Sequence, residues 1–163
     1  MPLDRLFHRP GYLFRRCRQL IMAKYLALAE GIDLTPQQYV VLKAVAESGE
    51  IEQSALCATI LLDRSTVATL LARLEEKGFI RRAPSISHRR HNVIRVTAAG
   101  TRILSRVEPI LDQVEAELLG PLTDGECTVF FELLHRIADA GPGGELLPDH
   151  FTKRATRRRR PAQ

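Results

Sequence analysis

The chain has 163 residues and a formal net charge of +5, and 45% of its residues are hydrophobic, which is enough to bury the core of an ordinary domain. Six of its 24 basic residues lie among the last eleven, Lys153 to Gln163, so the rest of the chain is close to neutral. This local distribution argues against a packaging protein, which would be basic throughout, and favours a shaped contact with nucleic acid.

The sequence offers no sign of membrane insertion, export or metal binding. No apolar stretch approaches the roughly 18 residues that span a bilayer. The beginning of the chain contains Asp4 and lacks the apolar core of a signal peptide, so we expect a cytoplasmic protein. Cys17, Cys57 and Cys127 are too far apart for a metal-ligand motif. Each lies in an apolar helical pattern, and we predict buried free thiols, no metal site and no cofactor.

Two helices are predicted before residue 50. The first begins near Pro10, which suits a first helical position because its missing N–H would be unpaired there, and it ends near Gly31. The second begins at the capping box Thr35-Pro36-Gln37-Gln38 and stops at Ser48-Gly49. Their apolar stripes are Leu13, Cys17, Leu20, Ile21 and Leu28, and Val41, Leu42 and Val45.

A helix-turn-helix is predicted next, with short helices at 52–59 and 64–77. Leu61-Leu62-Asp63 joins them, Asp63 is the predicted N-cap of the second, and Gly78 lies just past its end. The second helix is amphipathic and carries polar residues at its N-terminal end, which is typical of a recognition helix. Its apolar side consists of Val67, Leu70, Leu71 and Leu74.

Beyond Gly78 the pattern changes from helical to alternating, which predicts strands at 79–82 and 92–97. Five arginines, two histidines and no acidic residue lie between Arg81 and Arg95. A β-hairpin with a cationic tip directly after a helix-turn-helix is a wing, so we predict a winged helix-turn-helix.

The remaining ordered chain is predicted to be helical. Pro109 is expected to kink a long helix, and a second capping box, Thr123-Asp124-Gly125-Glu126, opens the last one. The apolar stripe of the long helix consists of Ile103, Leu104, Val107, Ile110, Leu111, Val114 and Leu118. The residues of the last helix that are expected to face inward are Val129, Phe130, Leu133, Leu134 and Ile137. After residue 140 we expect a disordered basic tail.

The predicted fold class is mainly α with a small β-hairpin wing. The winged helix-turn-helix occupies 34–100, a helical dimerisation region occupies 1–33 and 101–140, and a flexible basic tail occupies 141–163. The helices outside the winged core carry more apolar surface than a compact monomer needs, and we therefore predict a homodimer.

The region from about Leu34 to Gly100 resembles the MarR family of bacterial regulators. The matching residues are Leu34-Thr35-Pro36-Gln37-Gln38-Tyr39-Val40-Val41-Leu42, Leu62-Asp63-Arg64-Ser65-Thr66-Val67, Leu71-x-x-Leu74-Glu75-x-x-Gly78-x-Ile80-x-Arg82, Arg89-Arg90 and Val96-Thr97-x-x-Gly100. The family's wing usually reads Asp-x-x-Asp-Arg-Arg, and here Ser85 and His88 stand at the two acidic places. The second of these acids orients the arginine that enters the minor groove, and His88 replaces it with a group that titrates near neutral pH.

The recognition helix and the wing supply the predicted DNA contacts to a palindromic operator. Arginine can bind guanine O6 and N7 together, and hydroxyls at a helix N-terminus can hold a phosphate. Arginines at the wing tip would enter the minor groove or grip its phosphates. The predicted DNA-binding residues are Arg64, Ser65, Thr66, Thr69, Arg73, Arg89 and Arg90. The arginine tail could add phosphate attraction or could be a solvated end.

A ligand site is predicted where the dimerisation layer meets the DNA-binding domain, at the junction of the first helix, the second helix and the long helix after the wing. The segment 9–16 resembles the opening of family members that control degradation of aromatic carboxylates, which implies a small aromatic carboxylate or its CoA thioester as effector. Arg15 and Arg16 are the candidate carboxylate partners, because a guanidinium fork matches a carboxylate, and His8 and Tyr39 are predicted to join them. The alternative is that these arginines are surface or interchain charges.

A repressor released by its ligand is the predicted function, and three other classes of protein are alternatives to it. The sequence has no Gly-rich phosphate loop, Ser/His/Asp set or metal motif, so we predict that it is not an enzyme. A winged helix that binds protein is one alternative. A thiol-based redox regulator is another, since Cys17 lies between Arg16 and Arg18. An activator is equally compatible with the sequence.

Overall fold

The computed structural model describes residues 4–84 and 92–139. The order of elements confirms the predicted fold class, a mainly helical chain with one β-hairpin. The elements of this described part are α1 (Asp4–Phe7), α2 (Pro10–Leu28), α3 (Pro36–Ser48), α4 (Gln53–Ile60), α5 (Arg64–Glu76), β1 (Ile80–Pro84), β2 (Asn92–Val96), α6 (Ala98–Leu119) and α7 (Asp124–Asp139).

Both predicted capping boxes form. At the start of α3, the Gln38 backbone N–H donates to the Thr35 hydroxyl at 3.2 Å, and the Thr35 N–H donates to the Gln38 side chain at 3.1 Å. At the start of α7, the Thr123 N–H donates to Glu126 at 2.7 Å and the Glu126 N–H donates back to Thr123 at 3.4 Å. These contacts satisfy backbone donors that have no partner within the helix, so each helix begins where its sequence predicts.

Helices α4 and α5 form the predicted helix-turn-helix and bend 112° from one another. In the turn between them, Leu61 has a backbone φ of 53°, which lies in the left-handed region. No single helix in the described part of the chain is long and apolar enough to cross a membrane, although α4 and α5 taken together as a bent pair pass that test on length and composition.

One core joins α3, α4, α5 and α6. The predicted stripes of α3, α5 and α6 supply most of its completely buried side chains, such as Val107 of α6, and α4 adds Leu56, which was not predicted. The largest members of this set are Leu42, Leu56, Leu71, Leu74, Val41, Val45, Val67 and Val107. Because the stripe of α5 is buried on this core, its opposite face must point away from it.

The hairpin strands pair antiparallel, with Ile80 opposite Val96 and Pro84 opposite Asn92. Ile51, just before α4, forms a β-bridge with Ile94: the Ile51 N–H donates to the Ile94 carbonyl at 3.2 Å, and the Ile94 N–H donates back at 2.8 Å. Beside this bridge, Arg95 forms an ion pair with Glu50. The base of the wing is therefore tied to the segment between α3 and α4, whereas its tip, 85–91, lies outside the described residues.

Helix α2 contacts α6 and the start of the winged domain through its second half. In the second half of α2, Tyr25 is buried and its hydroxyl donates to the Leu34 carbonyl, and Lys24 pairs with Glu117 of α6 at 2.6 Å. In the first half of α2, Leu13 and Leu20 are 47% and 49% exposed. Helix α6 continues through Pro109 as a single element.

Two expectations about burial are wrong for the single chain. Cys17 is exposed, because the apolar face of the first half of α2 is not covered by the winged domain. Cys57 is half-buried, and Cys127 is buried as predicted. The stripe of α7 expected to turn inward is also exposed, with Val129 at 53% and Ile137 at 61%. Periodicity identified both apolar faces correctly but did not show that the same chain leaves them uncovered.

Gly100 allows the first turn of α6 to sit against the start of the wing. An added Cβ would lie 2.1 Å from the Phe79 carbonyl oxygen and 2.7 Å from Val96 Cγ2. We expect Gly100→Ala to lower the free energy of unfolding by about 2 kcal/mol or more, because backbone atoms must move. Urea unfolding at one fixed protein concentration measures this. Gly125→Ala, with nothing within 4 Å of the added carbon, is the control, and equal stability of the two variants would contradict the prediction.

Candidate nucleic-acid interface

The exposed face of α5 brings together four of the five residues predicted to read the major groove. Ser65, Thr69 and Arg73 are exposed and recur every four residues, which places them on one side of the helix, and Thr66 is half-buried beside them. These four line one depression of about 250 Å³, hereafter the α5 depression. Its complete lining is Gln37, Ser65, Thr66, Thr69, Leu70 and Arg73.

The fifth residue, Arg64, lies apart from this group. It is the first residue of α5, it is exposed, and it does not line the α5 depression. One residue corresponds to about 100° around a helix, so Arg64 projects from a different side than its neighbour Ser65. The two arginines predicted to bind guanine are also far apart along the helix, since Arg64 is its first residue and Arg73 lies in its last turn.

Gln37 lines the depression although the sequence predicted it only as part of a helix start. It follows Pro36 in the first turn of α3 and is exposed. The capping box uses Thr35 and Gln38, which leaves the side chain between them free of that role. A polar residue in the box that is not needed for capping is the signal that could have identified it.

Asp63 organises the N-terminal end of the depression. Its carboxylate accepts hydrogen bonds from the Ser65 hydroxyl at 2.5 Å, the Thr66 hydroxyl at 2.6 Å and the Thr66 backbone N–H at 2.9 Å. These bonds, that of the Ser65 hydroxyl first, hold the pKa of Asp63 well below its usual range. The predicted N-cap is confirmed, and a negative charge already occupies the N-terminus of α5.

The other end of α5 is fixed by Lys77. Its ammonium group lies 2.5 Å from the Asp33 carboxylate, 3.0 Å from the Asp33 carbonyl and 3.2 Å from the Gln38 side chain. Glu75 pairs with Arg82 of β1 at 3.2 Å. The recognition helix is thus linked both to the start of α3 and to the wing, so these parts must move together or break these contacts.

The wing arginines predicted to enter the minor groove, Arg89 and Arg90, lie outside the described residues. At the base of the wing, Arg82 and Arg95 form ion pairs with Glu75 and Glu50. Those two arginines therefore hold the wing to the rest of the domain.

The four predicted ligand residues occupy different places. Arg15 lines a depression of about 460 Å³ at the start of α2, where its guanidinium carbon lies 5.2 Å from the ring centroid of Tyr12. Arg16 and His8 are exposed near this depression in sequence but do not line it. The lining residues are Leu6, Arg9, Pro10, Gly11, Tyr12 and Arg15.

Tyr39 belongs to another environment, between α3 and α6. It packs half-buried against the core, and burial first, then the Glu108 carboxylate, raises the pKa of its hydroxyl. A phenol in such surroundings stays protonated and can donate a hydrogen bond. Within one chain, therefore, Tyr39 does not share the Arg15 depression.

Comparison with known proteins identifies the family. The model of the MarR family matches residues 32–91. The chain is 37% identical over 108 residues to the transcriptional regulator HosA of Escherichia coli O111:H-, covering 66% of this chain and 80% of HosA. It is 26% identical over 130 residues to the repressor NicR of Pseudomonas putida, covering 80% of this chain and 82% of NicR.

The solved structure of the regulator PcaV of Streptomyces coelicolor, in complex with its natural ligand, matches this chain with a TM-score of 0.71 and 33% identity, covering 83% of this chain and 95% of PcaV. All of these relatives are transcriptional regulators, which confirms the prediction that the chain is not an enzyme. The winged helix-turn-helix, its recognition helix and these relatives together place the chain in the MarR family of transcriptional regulators.

Proposed function

We propose that this regulator is a sequence-specific repressor that binds a palindromic operator as a homodimer and is released by a small aromatic carboxylate or its CoA thioester. The observation that carries the DNA-binding part is the α5 depression, in which Ser65, Thr69 and Arg73 form one exposed polar face while the opposite stripe of α5 is buried. Repression is supported by the similarity to NicR, which is named as a repressor.

The arginines supply donors for DNA. Arg73, exposed in the second half of α5, can present two parallel N–H groups to guanine O6 and N7 in the major groove. Arg64 serves either a base or a phosphate from the first turn. Arg89 and Arg90 read the width and charge of the minor groove, which contributes affinity without identifying bases.

The homodimer is supported by the apolar surface that the single chain leaves open. Twelve large apolar side chains in the helical regions at the two ends of the chain are at least 37% exposed. A second copy covers both sets at once when a two-fold axis brings the α1–α2 and α6–α7 regions of the copies together. These side chains are Leu6, Phe7, Leu13, Phe14, Leu20, Leu26, Leu122, Val129, Phe130, Phe131, Leu133 and Ile137.

The effector proposal rests on Arg15 and on the apolar lining of the depression beside it. Leu6, Pro10 and Tyr12 can contact an aromatic ring, and the Arg15 guanidinium can pair with a carboxylate. Arg16, His8 and Tyr39 would complete the site in the dimer. A ligand releases DNA only if it binds the arrangement of lobes that does not fit the operator better than the one that does.

Alanine substitution of the arginines tests the assignment of DNA contacts. We expect Arg73→Ala, and Arg64→Ala if it contacts a base, to weaken binding to the selected operator by about 1–3 kcal/mol, with a smaller loss on random DNA. The Arg89→Ala and Arg90→Ala double variant should lose most operator affinity. Gel shifts with both DNAs measure this, with Arg106→Ala, an exposed arginine of α6, as control. Equal losses on both DNAs for Arg73→Ala would reduce its role to a phosphate contact.

Light scattering tests the oligomeric state. We expect the parent to be a dimer at micromolar concentration, and the double variant Leu133→Glu and Ile137→Glu to be largely monomeric, because both side chains are exposed in the single chain and are not needed for its core. Glu132→Lys, an exposed charge change on the other side of α7, should stay dimeric. A parent protein that is a stable monomer would refute the dimer.

The response to aromatic acids tests the effector site. We expect an aromatic carboxylate or its CoA thioester to lower operator affinity, and Arg15→Ala or Arg16→Ala to reduce that response more than it reduces DNA binding. Gel shifts over a panel of such compounds measure this, again with Arg106→Ala as control. If both variants respond as the parent does, the ligand binds elsewhere, and if no compound acts, the effector class is wrong.

A further inference from the structure

The hydroxyl groups that line the α5 depression all donate their hydrogens back into the protein. Ser65 and Thr66 donate to the two oxygens of the Asp63 carboxylate, at 2.5 and 2.6 Å, and Thr69 donates to the Ser65 carbonyl at 3.0 Å. An ionised carboxylate and a carbonyl oxygen can only accept, so the direction of these bonds is fixed. A hydroxyl has one hydrogen, and the exposed Ser65 and Thr69 oxygens are therefore left with lone pairs for whatever enters the depression.

From this arrangement we infer a reading rule, which rests on the proposed operator binding: Ser65 and Thr69 accept hydrogen bonds from the exocyclic amines of adenine or cytosine in the major groove. Adenine N6 and cytosine N4 are the base groups that donate there. Guanine O6 and N7 and thymine O4 are acceptors. Opposite the Ser65 and Thr69 oxygens they would form no hydrogen bond, because neither partner would supply a hydrogen.

The surroundings of the hydroxyls favour an amine over a phosphate. The Asp63 charge directly behind Ser65 repels a phosphate and attracts the positive end of an N–H group. Donation to a carboxylate also polarises the Ser65 hydroxyl and makes its oxygen a better acceptor. A phosphate needs donors, and Ser65 could supply one only by giving up its bond to Asp63. This arrangement favours base reading over the phosphate contact that the place of these hydroxyls at the helix start predicts.

The rule divides the face of the recognition helix that lines the α5 depression into two chemically different parts. Ser65 and Thr69 offer acceptors, and Arg73, one turn beyond Thr69, offers donors. Eight residues at 1.5 Å each separate Ser65 from Arg73 along the axis, which is about the rise of three to four base pairs. Each half-site should therefore place adenine or cytosine at the Ser65 and Thr69 positions and guanine at the Arg73 position of the same groove.

Base analogues test the rule on the complete protein. An operator is first selected from random duplexes, and each adenine is then replaced by purine, which lacks the N6 amine, and each cytosine by 2-pyrimidinone, which lacks the N4 amine. We expect at least one replacement in each half-site to weaken binding of the parent about 5- to 100-fold, the range of a lost base contact. Ser65→Ala or Thr69→Val should bind the original and the replaced operator equally at the position that it reads.

Two further variants separate this reading from a general effect on the helix. Thr101→Val removes the same type of bond, from a threonine hydroxyl to the carbonyl four residues earlier, at an exposed place on α6, and should behave as the parent. Asp63→Asn keeps an N-cap of equal rank but replaces one acceptor oxygen with a donor NH2 group. A hydroxyl that faces this group no longer donates to residue 63, so its hydrogen is available to the DNA. Discrimination against the amine-free bases should then fall while the far-ultraviolet circular dichroism stays unchanged.

The outcomes distinguish this inference from the proposed function. If an operator is selected but no amine-free base weakens the parent, or if Ser65→Ala and Thr69→Val lose affinity equally on operator and random DNA, the reading rule is overturned and operator binding stands. If selection yields no preferred duplex, both are overturned. A loss that is confined to amine-free bases and is abolished by the matching hydroxyl variant establishes the rule.

Discussion

The apolar contact of α5 with α3 is the constraint on which the DNA-binding surface depends. Leu71 and Leu74 of α5 and Leu42 of α3 are completely buried in the core that these helices share. Truncating one such leucine to alanine typically costs about 2–5 kcal/mol, whereas an exposed hydrogen bond contributes about 1 kcal/mol. The core therefore sets which side of α5 faces outward, and the polar residues of that side, such as Arg73, do not have to stabilise the position from which they act.

The polar contacts at the ends of α5 then connect this helix to the rest of the chain. Lys77 binds Asp33, and the next residue, Leu34, accepts a hydrogen bond from Tyr25 of α2. The helical layer and the recognition helix thus meet at two adjacent residues. A ligand beside the first half of α2 would have a short physical route to α5 through these contacts, provided that they have two alternative arrangements. The proposed release of DNA requires that ligand binding change these contacts.

Features that depend on a few neighbouring residues could be predicted from the sequence. The capping box at Thr35 and the N-cap Asp63 are of this kind, and the buried stripes follow from periodicity over a single helix. The exposure of Cys17 and of α7 could not be predicted in the same way, because an amphipathic pattern shows that a face is apolar and not which chain covers it. Gln37 joins the candidate site only because the fold brings α3 beside α5.

The direction of the hydrogen bonds in the α5 depression is a further property that composition does not contain. Ser65 and Thr66 could equally be donors or acceptors until the position of the Asp63 carboxylate is known. Their orientation matters because each base pair shows its own pattern of donors and acceptors in the major groove, and a helix with arginines alone would read only acceptors. A recognition helix that presents acceptors from Ser65 and donors from Arg73 can distinguish more sequences with the same number of residues. The charge of Asp63, which stabilises the helix end, would thereby also determine which bases that end accepts.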